Sequence, residues 1–296
     1  MKSGFVSFIG RPNAGKSTLL NRIVGHKLAI VSDKPQTTRT RIVGVKNYDA
    51  GQIVFVDTPG VHKPTHRMNV RMVDVALEVM RDVDVLCLVV DVSVKPGPGD
   101  RYLVSLLKDV KTPVILALNK VDRIAKPKLL PIMDGYQRQH PFAEIVPISA
   151  TDGTNVDVLE KLLLQYLPEG EPLYPKDYVT DQPERFFIGE IVREQVLQNT
   201  HDELPFSTAV VVDRIEPSDE KGIMNIYCTI LVDRESQKPI VIGRAGAMIK
   251  QIGTAARAEL QKYLGGRVYL DLHVKVKSEW RDDDRLLDEL GLQRDH

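Results

Sequence analysis

The stretch GRPNAGKS at residues 10–17 constrains the fold of this chain more than any other feature. It matches the pattern G-x-x-x-x-G-K-[ST] of a phosphate-binding loop. A short apolar run at residues 5–9 precedes it, and a helical pattern at residues 18–24 follows it. In that context backbone N–H groups line the loop, and the start of the helix attracts anions. The phosphate-binding residues that the motif predicts are Arg11, Pro12, Asn13, Ala14, Gly15, Lys16, Ser17 and Thr18.

A second motif, DTPG at residues 57–60, follows the apolar run at residues 53–56. A strand-end Asp followed by x-x-Gly suits the place where a nucleotide hydrolase holds magnesium through water and senses the γ-phosphate. Turns of this composition are common, so the signal gains its weight from following a phosphate-binding loop. In the combined site, the Lys16 ammonium can reach the outer phosphates and the Ser17 hydroxyl can ligate magnesium. The second motif adds to the predicted nucleotide site Asp57, Thr58, Pro59 and Gly60.

A third motif, NKVD at residues 119–122, has the chemistry that selects guanine. The Asp122 carboxylate can accept from N1–H and from the 2-amino group, whereas adenine would leave this acceptor unpaired. Asn119 can tie its loop to the phosphate loop, and the aliphatic stem of Lys120 can cover the base. A Ser-Ala dipeptide after the next apolar run fits the loop that presents a backbone N–H to guanine O6. The predicted guanine-binding residues are Asn119, Lys120, Asp122, Ser149 and Ala150.

These motifs lie in a regular alternation of short apolar runs and longer helical patterns. Continuous apolar runs of this kind are typical of strands that are buried on both faces of a parallel sheet. The predicted fold is α/β, a doubly wound and mostly parallel sheet over residues 1–167. The runs occupy residues 53–56, 85–90, 114–118 and 145–148, and the helical patterns occupy residues 68–80, 101–108, 128–139 and 156–167.

The composition changes after this first domain. Residues 168–184 contain four prolines among acidic and polar residues, which predicts a semi-extended linker. Residues 185–281 have the element order α-β-β-α-α-β, which predicts a smaller α+β domain. Residues 282–296 are expected to form an acidic C-terminal tail with one short leucine pattern.

Whole-chain composition excludes several classes and names no partner. The formal net charge of the 296 residues is zero, and the richest apolar run, at residues 83–92, is interrupted by Asp84 and Asp91 and is too short for a membrane span. The two cysteines, Cys87 and Cys228, lie in apolar runs and are expected to be buried thiols in a reducing compartment. Since the first strand begins almost at the N-terminus, no signal peptide is expected. We therefore expect a cytoplasmic protein.

The ordered set of motifs over residues 5–166 resembles the GTPase superfamily and, within it, the TrmE–Era group. Asn13 is similar to the asparagine that ligates a potassium ion in such enzymes, and Val61 occupies the place of a water-orienting glutamine. The resemblance implies hydrolysis of GTP to GDP and phosphate by water, with Mg²⁺ and K⁺ as cofactors. The catalytic residues that it implies are Lys16, Thr38, Asp57, Gly60 and Asn13.

The polar segment SDKPQTTRTR at residues 32–41 is similar to the first switch of these enzymes. It lacks apolar periodicity, so we expect it to order only with nucleotide. The resemblance places a magnesium-ligating threonine at Thr38, with Thr37 as the alternative, because the sequence does not separate the two. The implied metal ligands are Ser17 and Thr38 for Mg²⁺, Asp57 for Mg²⁺ through water, and Asn13 for K⁺.

The second domain carries a G-x-x-G loop between apolar residues, and in this element order it resembles a type II KH domain. Such a loop clamps the backbone of about four single-stranded nucleotides. Residues 185–296 hold 16 Lys and Arg against 19 Asp and Glu, but residues 243–281 hold 8 against 3, which is enough for a local phosphate track. The predicted RNA-binding residues are Gly243, Arg244, Ala245, Gly246 and Lys250.

A GTPase domain followed by a KH domain resembles those members of the TrmE–Era group that bind RNA. That resemblance implies binding to small-subunit ribosomal RNA near its 3′ end, a role in assembly of the small ribosomal subunit, and peripheral contact with the inner face of the cell membrane. It also implies a monomer. Two alternatives remain: an RNA-modification GTPase of the TrmE type, which would need further catalytic machinery, and an RNA-binding protein that uses GTP only as a structural ligand.

Overall fold

A computed structural model describes residues 1–34, 36–60, 66–219 and 222–292 of the chain. These residues form two units. The first takes the described residues within Met1–Val31, Thr38–Thr65 and Asn69–Asp181, and the second takes those within Ser32–Thr37, His66–Met68 and Gln182–His296. Among the described residues, no helix has both the length and the apolar character that crossing a membrane requires.

The first unit is built on a six-stranded sheet with the strand order β2-β3-β1-β4-β5-β6. All neighbouring pairs are parallel except β2 and β3. The strands are β1 (Lys2–Ile9), β2 (Ile42–Tyr48), β3 (Gly51–Asp57), β4 (Val85–Asp91), β5 (Val114–Asn119) and β6 (Glu144–Pro147). The helices are α1 (Lys16–Val24), α2 (Arg67–Asp82), α3 (Pro98–Leu106), α4 (Leu129–Gln137) and α5 (Val156–Tyr166). The predicted α/β, mostly parallel sheet is therefore confirmed.

Burial explains why the central strands are continuous apolar runs. Every residue of β5 is buried, and β4 is buried from Val85 through Val90. One core cluster includes Leu86 and Leu88 of β4, Leu116 and Leu118 of β5, and helix residues such as Leu103. Because these strands are buried along their length, their polar residues lie at the strand ends, and the motifs are located there.

The sheet contains one strand that the apolar runs do not predict. Strand β2 pairs antiparallel with β3 at the edge of the sheet, and only its first four residues are buried. The segment predicted as a linker supplies further contacts at this edge: Val45 N donates to Val179 O at 2.8 Å, and the Gln52 side chain bonds the backbone of Leu173 and Tyr174. The described residues up to Asp181 thus lie with the first unit.

The second unit has a three-stranded sheet in the order β7-β8-β9, with β8 antiparallel to β7 and parallel to β9. Its strands are β7 (Thr208–Pro217), β8 (Ile223–Val232) and β9 (Arg267–Val276). Its helices are α6 (Glu184–Asn199), the short α7 (Leu204–Ser207), α8 (Lys238–Ile242), α9 (Ala247–Leu264) and α10 (Asp284–Glu289). Apart from α7 and α10, this is the predicted order α-β-β-α-α-β.

The C-terminal segment differs from the expected tail in its described part. Asp283 caps α10 by accepting hydrogen bonds from Arg285 N and Leu286 N. Leu286 and Leu287 of α10 are buried, as is Leu292 beyond it. The short leucine pattern folds back because burying these side chains removes apolar surface from water. The description of residues 282–296 as a tail is therefore wrong for residues 282–292.

Candidate functional site

The phosphate-binding loop connects β1 to α1 and depends on left-handed backbone at two positions. Asn13 has φ 63°, and Gly15, which precedes the first residue of α1, has φ 97°. A Cβ atom at Gly15 would lie 2.2 Å from Asn119 Nδ2. Glycine is therefore required at residue 15 by both the backbone conformation and the close approach of Asn119.

Lys16 is held inside the loop that the motif predicts. Its side chain is buried, and Nζ donates to the carbonyl oxygens of Gly10 and Arg11 at 3.3 Å each. Burial lowers the pKa of Lys16, and the nearby Asp57 carboxylate opposes that shift. The ammonium therefore lies in the concave loop, where it can meet the outer phosphates of a nucleotide.

Three oxygen-bearing side chains converge beside Lys16. Ser17 Oγ lies 2.7 Å from Asp57 Oδ2 and 2.8 Å from Thr38 Oγ1, and Thr38 Oγ1 lies 3.2 Å from the same carboxylate oxygen. Thr37 is not part of this group, since its hydroxyl donates to Lys34 O at 2.6 Å. Burial raises the pKa of Asp57, while Lys16 and the two hydroxyls act against that rise. Hydroxyl and carboxylate oxygens are the ligands that Mg²⁺ prefers.

The residues of the DTPG motif are packed directly against the phosphate-binding loop. Thr58 Oγ1 donates to Phe8 O of β1 at 3.1 Å. A Cβ atom at Gly60 would lie 2.9 Å from Pro12 N, so a larger residue would displace one of the two loops. Residues 57–60 are buried, and Val61 lies outside the described residues. The structure thus brings the first two motifs together as predicted.

The NKVD motif is tied to the phosphate-binding loop by two side chains. Asn119 Nδ2 donates to Ala14 O at 2.8 Å, and Asn119 Oδ1 accepts from Lys120 N and Ala150 N. Lys120 Nζ donates to Asn13 O at 2.8 Å and to Asp91 Oδ2 at 2.5 Å. The Asp122 carboxylate remains partly exposed, at 30% of its side chain. This arrangement places the predicted guanine-binding residues from two strand ends beside the phosphate-binding loop.

Two acidic residues support the site without having been predicted from the motifs. Asp91, at the end of β4, pairs with Lys120, and hydrogen bonds from Lys120 and Ser93 outweigh burial and hold the pKa of Asp91 below its ordinary value. Asp100, in the first turn of α3, pairs with Arg11 at 2.8 Å and also accepts from Gly97 N. A signal existed for Asp91, because the carboxyl ends of parallel strands share one edge of a sheet.

The G-x-x-G loop of the second unit precedes α9. Its backbone has positive φ at three residues and approaches the start of α9 closely. Gly243, Ala245 and Gly246 have φ values of 74°, 51° and 77°. A Cβ atom at Gly243 would lie 2.6 Å from the Met248 side chain. The predicted residues Gly243, Arg244, Ala245 and Gly246 are therefore contiguous, and α9 carries Lys250 one turn further on.

A cavity of about 350 Å³ lies between α9 and β9. Leu270 and Leu272 give it an apolar side, and Lys250 and Arg257 add positive charge. Aliphatic side chains can pack against the faces of bases, and cations bind phosphates, so this groove has the chemistry of a single-stranded nucleic-acid site. Trp280 is not available for stacking, because it is fully buried and its Nε1 donates to Ser207 O at 2.9 Å.

Fold and site together define a P-loop GTPase that carries a KH domain. The family model for 50S ribosome-binding GTPases matches residues 5–120, and the KH domain model matches residues 203–281.

Full-length relatives share both parts. The chain is 49% identical to the GTPase Era of Geobacter metallireducens over 98% of this chain and 97% of that protein. A structure of a variant of Aquifex aeolicus Era bound to GDP and AlF4⁻ is 43% identical, covers 99% of both chains and has a TM-score of 0.95. A structure of Era with MgGDPNP and nucleotides 1506–1542 of 16S ribosomal RNA has the same identity, coverage and TM-score. This chain belongs to the Era family of GTPases.

Proposed function

We propose that this GTPase uses its nucleotide state to control binding of small-subunit ribosomal RNA near the 3′ end, and that it acts in assembly of the small ribosomal subunit. The observation that carries the proposal is the cationic, apolar-sided groove of about 350 Å³ beside the G-x-x-G loop, on a chain with a complete set of guanine-nucleotide motifs. The related Era bound to MgGDPNP and nucleotides 1506–1542 of 16S ribosomal RNA supports this choice of RNA.

In the hydrolysis that we propose, the protein positions the phosphates and water attacks the γ-phosphate. Lys16 meets the outer phosphates as a buried point charge. Ser17 and Thr38 would hold Mg²⁺ directly, and Asp57 would hold it through water. The fit of this set rests on the three converging oxygens and on Asp57 Oδ1, which is buried and has no hydrogen-bond partner among the described residues. Mg²⁺ at this position would neutralise charge on the phosphates.

The proposed base selectivity follows from the partly exposed carboxylate of Asp122 and from the tie between Asn119 and Ala150. Asp122 accepts from guanine N1–H and the 2-amino group, Lys120 covers the base, and the Ser149-Ala150 loop presents a backbone N–H to O6. An adenine base would leave the carboxylate without a donor, which costs the full desolvation of that group.

We also propose that K⁺ assists hydrolysis and that Asn13 is its ligand. Asn13 is an exposed residue of the phosphate-binding loop, and Val61 carries no group that orients water. We expect faster turnover in KCl than in NaCl at matched ionic strength, and we expect Asn13→Ala to abolish the difference while GDP affinity is kept. Equal rates in both salts would contradict the potassium proposal.

For the cell, we propose a cytoplasmic monomer that makes peripheral contact with the inner face of the membrane. The resemblance to the TrmE–Era group is the support for this location.

The RNA proposal is tested with the full chain and an RNA of the sequence corresponding to nucleotides 1506–1542. Binding is measured by fluorescence anisotropy with GDP and with a non-hydrolysable GTP analogue, at two salt concentrations. We expect tighter binding in one nucleotide state. The double change Arg244→Asp and Ala245→Asp should weaken binding and flatten the salt dependence, because two carboxylates would face phosphate.

Lys262→Asp is the matched control, since Lys262 lies on α9 outside the groove and pairs with Glu259 at 2.9 Å. It should bind RNA nearly as the parent does. GTP turnover is measured on each variant. RNA binding by the double variant at the parent's affinity would overturn the KH proposal, and binding without turnover would make GTP a structural ligand.

A further inference from the structure

Arg22, in the last turn of α1, reaches a loop far away in the sequence. Its Nε donates to Ala150 O at 2.6 Å, and its Nη2 donates to Thr151 O. One guanidinium therefore holds two consecutive carbonyl groups of the loop that follows β6. No motif includes Arg22, and its side chain lies one to two helical turns beyond the phosphate-binding residues.

The loop at residues 149–155 is otherwise closed mainly on itself. Gly153 N donates to Ser149 O at 2.9 Å, and Ser149 N donates to Thr154 O at 3.1 Å. Asp152 Oδ1 accepts from both N and Oγ1 of Thr154. These bonds fix the shape of the turn, but they do not fix its position relative to the nucleotide site.

The position of this loop relative to the nucleotide site is fixed by two side chains, Asn119 and Arg22. Asn119 Oδ1 accepts from Ala150 N at 2.9 Å, and Arg22 donates to the carbonyl groups of Ala150 and Thr151. Charge-assisted hydrogen bonds from a planar guanidinium are directional, so they restrict the orientation of the peptide groups as well as their distance. Ala150 is thus held at both its backbone N–H and its backbone C=O, which belong to two successive peptide groups.

Gly153 provides the space that Arg22 occupies. Its φ is 94°, and a Cβ atom there would lie 2.9 Å from Arg22 Nη1. A side chain at residue 153 would meet the guanidinium and would also strain the backbone. Gly153 and Arg22 are therefore complementary parts of one contact.

We propose that Arg22 is a positioning residue for guanine specificity: it holds the Ser149-Ala150 loop so that a backbone N–H of this loop faces O6 of the base. The inference rests on the proposed assignment of this loop to guanine. Its consequence is selective. Loss of Arg22 weakens recognition of the 6-oxo group and leaves recognition of the 2-amino group by Asp122 in place.

Three nucleotides separate these contacts. GTP has the 6-oxo group, N1–H and the 2-amino group, and ITP lacks only the 2-amino group. 2-Aminopurine riboside triphosphate keeps the 2-amino group but lacks both the 6-oxo group and N1–H, so the N1–H contribution is the same in the parent and in an Arg22 variant. We expect Arg22→Met to lower affinity for GTP and ITP by roughly fivefold, the effect of one or two hydrogen bonds, relative to the 2-aminopurine nucleotide. Gly153→Ala should reproduce the loss by displacing the guanidinium, and Arg22→Lys should restore part of it.

The preference of GTP over the 2-aminopurine nucleotide is the measured quantity, because removal of a positive charge can weaken all three triphosphates equally. Arg138→Met, which removes an exposed arginine at the end of α4, is the charge-matched control and should leave this preference unchanged. Arg22 is exposed and its loss should not unfold the protein, which a thermal melt of each variant verifies.

Asp122→Asn separates failure of the guanine-site assignment from failure of the role proposed for Arg22. It should lower the preference of GTP over ITP, since the 2-amino contact is its own. If Asp122→Asn leaves that preference intact, the guanine-site assignment is wrong. If Asp122→Asn acts as expected but Arg22→Met leaves the preference of GTP over the 2-aminopurine nucleotide at the parent's value, the role of Arg22 is refuted.

Discussion

Thr37 and Thr38 are adjacent residues with the same side chain and different partners. Thr38 Oγ1 lies 2.8 Å from Ser17 Oγ and 3.2 Å from Asp57 Oδ2, whereas Thr37 Oγ1 donates to Lys34 O. The sequence could not separate them, because a polar segment without periodicity does not indicate which hydroxyl turns inward. Only the path of the backbone through this segment decides the matter, and it favours Thr38.

The two threonines provide a matched pair for testing the magnesium site. Thr38→Ala should raise the Mg²⁺ concentration needed for half-maximal GTP turnover by roughly tenfold or more, the usual scale for loss of a group that supports a metal. Thr37→Ala should change it little, since its hydroxyl only closes a local turn. The measurement is a Mg²⁺ titration of turnover for both variants. A larger effect of Thr37→Ala than of Thr38→Ala would mean that Thr37 is the magnesium ligand and that the assignment to Thr38 is wrong.

At the scale of elements, the motifs were predictable because they stand at the carboxyl ends of strands, where a buried apolar run gives way to polar residues. Asp57 and Asn119 are the last residues of β3 and β5. Strand β2 was not predicted, because it has one partner strand and a half-polar sequence. Two of its further contacts are with the segment predicted as a linker: Val45 N donates to Val179 O, and Asn47 Nδ2 donates to Lys176 O. Pairing with a segment so distant in sequence leaves no local signal.

Helix α1 begins and ends at glycines that look alike in the sequence but differ in their surroundings. Gly15 has φ 97° and Gly25 has φ 79°, so both are left-handed. A Cβ atom at Gly15 would meet Asn119 Nδ2 at 2.2 Å, whereas one at Gly25 would have no atom within 4 Å. The first glycine therefore joins two motifs, and the second only ends a helix.

Alanine substitutions should separate these roles. Gly15→Ala and Gly25→Ala should each destabilise folding by about 1–2 kcal/mol from the left-handed backbone. Only Gly15→Ala should also weaken GDP binding, by roughly tenfold or more, since it forces Asn119 away from Ala14 O and so leaves a buried hydrogen bond unmade. Urea unfolding and titration with fluorescent GDP measure the two effects. If the Gly15→Ala and Gly25→Ala variants bind GDP with equal affinity, the requirement for glycine at residue 15 is contradicted.

At the scale of the whole molecule, the chain has two units with separate apolar cores. One core cluster lies in the six-stranded unit and another in the KH unit. The sequence predicts the order of the two domains from the change in strand and helix pattern. It does not predict that the described residues within 32–37 and 66–68 group with the second unit, because that grouping depends on tertiary contacts.

Trp280 allows unfolding of the second unit to be followed separately from unfolding of the first. It is the single tryptophan of the chain, it is fully buried in the second unit, and its indole donates to Ser207 O. Its fluorescence therefore reports unfolding of the KH unit, whereas calorimetry detects both units. Because the nucleotide motifs all lie in the first unit, a guanine nucleotide binds the folded form of that unit directly.

We expect GDP with Mg²⁺ to raise the melting temperature of the first unit more than that of the second. At a GDP concentration about 100 times its Kd, the stabilisation is about 2.7 kcal/mol, which for a unit of this size is roughly 5–10 °C. The Trp280 transition should shift by less, since it gains only the coupling free energy between the units. Lys16→Ala should remove the GDP shift from the first transition. Equal shifts of both transitions in the parent would mean that the two units unfold as one and would contradict this prediction. A shift seen only in Trp280 fluorescence would mean that GDP binds the second unit and not the first.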